Sequence, residues 1–408
     1  MISALRSAYV PALVVIAVCL AGCSNAVDGT AQQAAGPAPD TVDVALLDPG
    51  NYSTEPLDPM GAAEVPAAGA LLEAVRMADF VVGPWDVDPA LVEANPFGMS
   101  PGAMPLKGDP SVLQAITVSE VAEAAGQHNY VNGFATSRQV KGQKVLFNVV
   151  LRMADPQSAT AAAAAMAQAA QDNPVELTPP VTLTRIAIPG HPQANALTHS
   201  YPEYGTEATW HAVNAFTAHG PYVLMQRAQS TESSDAAAAL VSRTLDLQGP
   251  RIDEFVATDP AQFPTLPRDA SGLLAKALPV VSTDINVNNN ATFGAHAALH
   301  YQSDPVHTGA KFSDAGVDVV VHAADWVYQT RDEAAAQQLV AASIELLKAT
   351  GSAADPVPNM PGSHCIKVAD QGFSCTSAAE RYVFDVFSAQ LPDAHQQMAA
   401  QYIMLTAE

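Results

Sequence analysis

Residues 144–170, KVLFNVVLRMADPQSATAAAAAMAQAA, decide how this chain is read. An apolar, β-branched run suits a strand; Asp155 then suits a helix N-cap, Pro156 the first helical position, and the alanine and glutamine after them a helix to about Gln171. The same order recurs at 220–247, GPYVLMQRAQSTESSDAAAALVSRTLDL, with Ser233 or Ser234 as cap and Gly249 as stop. It returns at 324–351, around Asp332 and ending near Gly351, and again at 380–405, ERYVFDVFSAQLPDAHQQMAAQYIML. The spacing is too uneven for a solenoid, so four strand-then-helix units are expected to pair into two domains of two units each.

Additional strand candidates precede the helices: NGFATSRQV, VTLTRIAI, ATWHAVNAF, GAHAALHY and VDVVVHAADWVYQT. Short Gly or polar turns between such strands predict antiparallel pairing. The expected fold class is therefore α+β: two domains of repeated strand-strand-helix units, with helices packed on one face of each antiparallel sheet. An N-terminal domain is expected over 41–255, a proline-rich connection over 256–284 and a C-terminal domain over 285–408.

The first 26 residues, MISALRSAYVPALVVIAVCLAGCSNA, read as a secretion signal. One basic residue, Arg6, precedes an apolar run from Ala8 to Leu20, which is shorter than the roughly 20 residues a membrane span needs. The run ends in Leu20-Ala21-Gly22-Cys23, the pattern of a lipoprotein processing site: small residues enter the peptidase, and the Cys23 thiol accepts diacylglycerol. Residues 1–22 are thus expected to be removed, leaving Cys23 with the two or three acyl chains that stable anchoring requires. Residues 23–40, small, polar and proline-bearing, read as a flexible tether. The expected location is the extracytoplasmic face of a cell membrane or envelope, with the membrane itself as partner through Cys23.

Export changes how the last two cysteines read. Cys365 and Cys375 are an even pair in a compartment that permits oxidation. A zinc site would need four ligands, and with His364 this segment offers three; a redox pair would be Cys-x-x-Cys. A disulfide is expected instead, closing a hairpin that turns at Asp370-Gln371-Gly372.

The chain has 41 Asp plus Glu against 18 Lys plus Arg, a net charge of −23, which excludes nucleic acid as a partner. His191, His199, His211 and His219 cluster with Glu203 and Glu207, but His211 and His219 sit at the two ends of one strand, roughly 26 Å apart at about 3.3 Å per residue, so no metal is expected. Ser-x-x-Lys, His-Glu-x-x-His, Gly-x-Gly and Gly-Lys-[Ser/Thr] do not occur, and the paired Asp86 and Asp88 beside Pro89 suit an Asx turn better than acid–base work. No catalytic residue and no cofactor are expected.

The phrases LLDPGNYSTEP (46–56), LLEAVRMADFVVGPWDVDP (71–89), DLQGPRIDEF (246–255) and the ending C…FSC…ERYVFDV…DAHQQMAAQYIML together resemble a family of uncharacterised lipoproteins of mycobacteria and related actinobacteria. The resemblance covers nearly the whole mature chain. It implies a cell-envelope lipoprotein built from N- and C-terminal family halves with a C-terminal disulfide, and a fold similar to the extracellular sensor domains of mycobacterial receptor kinases. It implies no reaction.

The function expected from all of this is that of a non-enzymatic, lipid-anchored envelope protein that binds a lipid, a glycan or an envelope protein. Trp210 and Trp326, in strands of separate domains, are the candidate lining of an interdomain cleft. An envelope hydrolase with an unrecognised site, or a purely structural or antigenic component, are the alternatives.

Overall fold

The computed structural model describes residues 42–95, 102–174, 180–280, 289–348 and 351–407. The signal, Cys23 and the tether expected before residue 41 lie outside the described residues. Among these, no helix is long and apolar enough to cross a membrane.

In chain order the first half carries α1 (Pro66–Met77), α2 (Pro84–Val87), β1 (Glu93–Ala94), β2 (Ala103–Leu106), α3 (Ser119–Gln127), β3 (Tyr130–Val140), β4 (Lys144–Met153), α4 (Pro156–Asp172), β5 (Thr184–Ile188), β6 (His191–Pro202), β7 (Thr209–His219), β8 (Tyr222–Ser230) and α5 (Ser234–Asp253). The second half carries β9 (Ala291–Gly294), α6 (Ala295–Leu299), α7 (Pro305–Ala315), β10 (Val319–His322), β11 (Trp326–Gln329), α8 (Glu333–Lys348), β12 (Gly351–Ala354), β13 (His364–Val368), β14 (Gly372–Ala379), β15 (Tyr382–Ser388) and α9 (Leu391–Thr406). Both sheets are antiparallel, in the orders β1-β3-β4-β8-β7-β6-β5, with β2 also on β3, and β12-β13-β14-β15-β11-β10-β9. The expected α+β class is what the chain adopts. Each half joins its two strand-then-helix units through the strands that immediately precede the helices, β4 with β8 and β11 with β15.

The local chemistry works as the residues dictate. Asp155 Oδ1 accepts from the Ser158 N–H at 2.7 Å with Pro156 in the first turn of α4, and Ser233 caps α5 through the Ala236 N–H at 3.0 Å. Gly249 does not stop α5, which runs through Pro250 to Asp253. Tertiary contacts hold that last turn: Gln248 and Ile252 are buried, and Arg251 donates to the Asp79 carbonyl at 2.7 Å. GAHAALHY is not a strand either; Gly294 ends β9, and the alanines after it form α6, as alanine's helix preference favours. The long VDVVVHAADWVYQT segment is a hairpin, β10 and β11, with Asp325 in its turn.

Helices cover both faces of each sheet rather than one. On β4, Leu146 and Val150 point to the same core as α5, whereas Val145, Phe147, Val149 and Leu151 point to the core that holds α3 and α4. A strand apolar on both faces demands cover on both. In the second sheet α8 packs on the side of Val320, Tyr328 and Val383, and α9 on the side of Val321, Val327 and Phe384.

One continuous core contains Phe134, Leu146 and Leu224 of the first sheet together with Phe293, Val320 and Tyr328 of the second. Residues 42–407 accordingly form a single compact unit. The segment after α5 folds back on the first half: the Ala63 and Glu64 N–H groups donate to Leu266 and Pro264, and Phe263 is buried over Gly69. Its end, Leu273, Leu274 and Ala277, joins the α9 side of the second sheet, as does Leu47 from the N-terminal stretch.

Candidate binding site

Polar groups buried at the junction of the halves fix their orientation. Arg138 on β3 donates to the His300 and Gln302 carbonyls at 2.7 and 3.1 Å and lies 5.6 Å from the Trp85 ring. His300 is enclosed, with Nε2–H shared between the Ala78 and Val81 carbonyls at 3.2 Å and Nδ1 accepting from the Thr136 hydroxyl at 3.0 Å. Burial, with His296 and Arg138 nearby, holds its pKa well below the usual histidine range, so it is a neutral structural group. Asp79 of the first half accepts from the Ala297 N–H of α6 at 2.8 Å, an N-cap supplied across the junction. With these contacts in place, the junction is filled rather than open.

The two tryptophans do not meet. Trp210 is buried in the α4-side core of the first sheet; Trp326 stacks at 3.9 Å on His322 and packs against the core shared by the halves. No cleft lined by both exists among the described residues.

A cavity of about 570 Å³ opens instead inside the first half, within the ~300–1,000 Å³ typical of small-ligand sites. Its floor is the outer face of the sheet, and its walls are residues 114–118 before α3 and the end of α4. Strand alternation builds the floor: on β8, Met225, Arg227 and Gln229 share one face, and across the sheet Phe147 on β4 and Asn214 on β7 stand directly opposite Arg227. Ile116, Val118, Phe147, Leu183, Phe216 and Met225 supply apolar surface. Polar groups gather around Arg227: His199, Tyr201 and Gln229, whose amide donates to the Tyr201 hydroxyl at 3.0 Å.

Arg227 is the unusual member. Its guanidinium carbon lies 5.0 Å from the Phe147 ring centroid, its Nε is buried with no hydrogen-bond partner, and no carboxylate pairs with it among the described residues. Burial pushes its pKa down, and that same burial, with Arg227 beside it, lowers His199, whose Nδ1 also lacks a partner. The sequence reading missed this site. Its signal was an arginine in phase with the buried Val223 and Met225.

The other three histidines of the 191–219 cluster serve surface contacts: His191 to Asp246 at 2.9 Å, His219 to Asp253 at 2.8 Å and His211 to the Ser200 hydroxyl at 2.8 Å. Asp88 makes the expected Asx turn, accepting from the Ala90 N–H at 3.0 Å, and pairs with Lys144 at 2.6 Å; Asp86 accepts from the Gly83 N–H at 2.9 Å. Cys365 and Cys375 face each other on β13 and β14 as a disulfide, with Asp370 in the left-handed region at the turn. The histidine beside their sulfurs is His395 of α9, not His364. With both thiols in the disulfide, that trio offers no thiolate to a metal.

One sequence pattern needs correction. Gly-x-Ser-x-Gly, expected with Ser-x-x-Lys to be absent, does occur, at Gly98-Met99-Ser100-Pro101-Gly102. A nucleophile elbow needs a strand before it and a helix after it. Here the flanking elements are the strands β1 and β2, and residues 96–101 lie outside those described.

Fold and cavity define the class: a two-sheet antiparallel α+β protein whose halves share a core and whose first sheet floors a cavity. The chain belongs to the family described as Domain of unknown function (DUF7373): the N-terminal family model matches residues 60–268 and the C-terminal model residues 273–408. Among solved structures it is similar to the extracellular domain of PknH from Mycobacterium tuberculosis, at 11% identity and a TM-score of 0.28 over 43% of this chain and 94% of that one. No curated protein matches it significantly.

Proposed function

We propose that this protein is an exported lipoprotein, anchored to the envelope through acyl chains on Cys23, that carries or senses a small molecule held in the cavity of its first half without transforming it. The cavity is the observation that carries the reading: about 570 Å³, walled mainly by apolar side chains, with polar groups converging at one place. The Leu20-Ala21-Gly22-Cys23 sequence supports the anchor. Native mass spectrometry of protein purified from an actinobacterial host tests it. A stoichiometric ligand, reduced by Phe216→Trp, which fills the cavity, supports the reading; protein that emerges bare and unresponsive to lipid extracts overturns it. Fluorophosphonate labelling of Ser100 would overturn the non-enzymatic part.

A further inference from the structure

We propose that the cavity's ligand is an amphiphile bearing one small anionic head, which pairs with Arg227 while its apolar part lies against Ile116, Leu183, Phe216 and Met225. This rests on the cavity being a binding site, and adds the chemical class of what it binds.

The argument begins with what a guanidinium needs. It carries five N–H donors and a permanent charge, and withdrawing it from water costs several kcal/mol unless those donors find acceptors. Arg138 and Arg152 have them: Arg138 donates to two carbonyls at the junction, and Arg152 pairs with Glu73 at 3.5 Å and donates to the Thr258 carbonyl at 2.8 Å. Arg227 has the aromatic face of Phe147, which attracts the charge but accepts none of its N–H bonds in the plane of the guanidinium. Among the described residues no carboxylate pairs with Arg227, and its buried Nε has no acceptor.

Its surroundings are equally specific. Arg227 lines a cavity in a chain with 41 acidic residues, yet none of the cavity's lining residues is acidic. A cation in a cavity whose lining, among the described residues, holds no carboxylate favours an anion over a cation. The neighbouring groups suit an oxyanion: the Tyr201 hydroxyl, already accepting from Gln229, has its own proton to donate, and Asn214 stands opposite Arg227 with an amide. Beyond this cluster the walls offer hydrocarbon, so the ligand's remainder is apolar. A carboxylate and a phosphate monoester both satisfy the head-group requirement, so both are tested.

The experiment is isothermal titration calorimetry on the oxidised protein after delipidation, with decanoate, decyl phosphate and decyltrimethylammonium, each below its micellar concentration, and decan-1-ol below its solubility limit. At least one anionic probe is expected to bind tenfold or more tighter than decan-1-ol, a difference of about 1.4 kcal/mol, and the ammonium probe weakest. Arg227→Gln is expected to abolish that preference and leave decan-1-ol binding intact, which shows the variant is folded; Arg227→Lys is expected to retain part of it. Equal binding of anion and alcohol, preference for the ammonium probe, or an anion preference that survives Arg227→Gln overturns the assignment of the head group while leaving the cavity a binding site. Absence of binding by all four probes overturns the cavity reading and this inference with it.

Discussion

The buried carboxyl of Asp325 makes stability fall as pH rises through neutrality. Asp325 sits in the β10–β11 turn with 2% of its surface exposed, and burial, with Asp385 nearby, pushes its pKa up to about 8. An unfolded aspartate ionises near 3.9, so between these values the folded chain binds the extra proton and stability falls as pH rises. Below about pH 6.5 other buried groups interfere. His296, lowered to about 4 by burial, and His300, lower than its usual range, are neutral when folded and protonate when unfolded, which gives the opposite slope. Asp385, raised to about 6, adds to the slope of Asp325 only in that lower range. From pH 6.5 to 8.0 the contributions of these histidines, and of His199, fade, and they are common to the wild type and an Asp325→Asn variant, so the difference between the two proteins isolates Asp325. One proton contributes about 1.4 kcal/mol per pH unit, and allowing for ionisation of the folded form as its pKa is approached, the loss over this window is about 1.6 kcal/mol. Urea unfolding of the oxidised protein and of Asp325→Asn at pH 6.5 and 8.0 measures it. The amide cannot ionise, so the difference in unfolding free energy between the two proteins is expected to move by about 1.6 kcal/mol in favour of the variant. A difference that is constant across the window would refute the reasoning, since it would mean that Asp325 is ionised in the folded chain at pH 6.5.

Other perturbations test the remaining links. Gly294→Ala would place a Cβ 1.9 Å from Asp79 Oδ2 and displace the carboxylate that caps α6, so thermal unfolding is expected to show a loss of about 2 kcal/mol or more, with Asp79→Ala similarly affected at that cap. Glu73 is fully buried, in ion pairs with Arg76 and Arg152, and accepts from the Thr258 N–H at 2.6 Å; Glu73→Ala is expected to cost about 3–5 kcal/mol in denaturant unfolding and to expose the segment after α5 to proteolysis. Replacing Cys365 and Cys375 together by serine opens a loop with a sequence separation of 10, expected to cost about 2.7 kcal/mol in the chain-entropy description, and dithiothreitol is expected to lower the melting temperature of the wild type but not of the double variant.

The units, caps and hairpin were legible because they are local. Asp155 followed by Pro156 and an alanine run specifies a helix start within four residues, and the 365–375 segment carries its own turn between its own strands. What escaped was decided by partners distant in sequence. Gly249-Pro250 reads as a helix stop, yet α5 continues because Arg251 and Gln248 bond to residues 79–82. GAHAALHY alternates well enough for a strand, yet Asp79 caps it as a helix. Trp210 and Trp326 suggested a cleft between halves, but Trp210 lies in the α4-side core and Trp326, half-buried, packs against the core the halves share.

The candidate site shows the same division. Period-2 alternation places Arg227 in phase with Val223 and Met225, and that phase is written in the chain. Whether a residue in that row meets a helix, a carboxylate or an empty space depends on where α3, α4 and the loop at 114–118 come to rest over the sheet. The chain by itself determined its antiparallel α+β units, their caps and the disulfide hairpin, because each needs only neighbours within reach of a few bonds. The tertiary structure alone decided that the halves share one core, that both sheet faces are covered, and that one arginine is left facing a cavity. Those outcomes depend on which surfaces meet, and no local interaction encodes that.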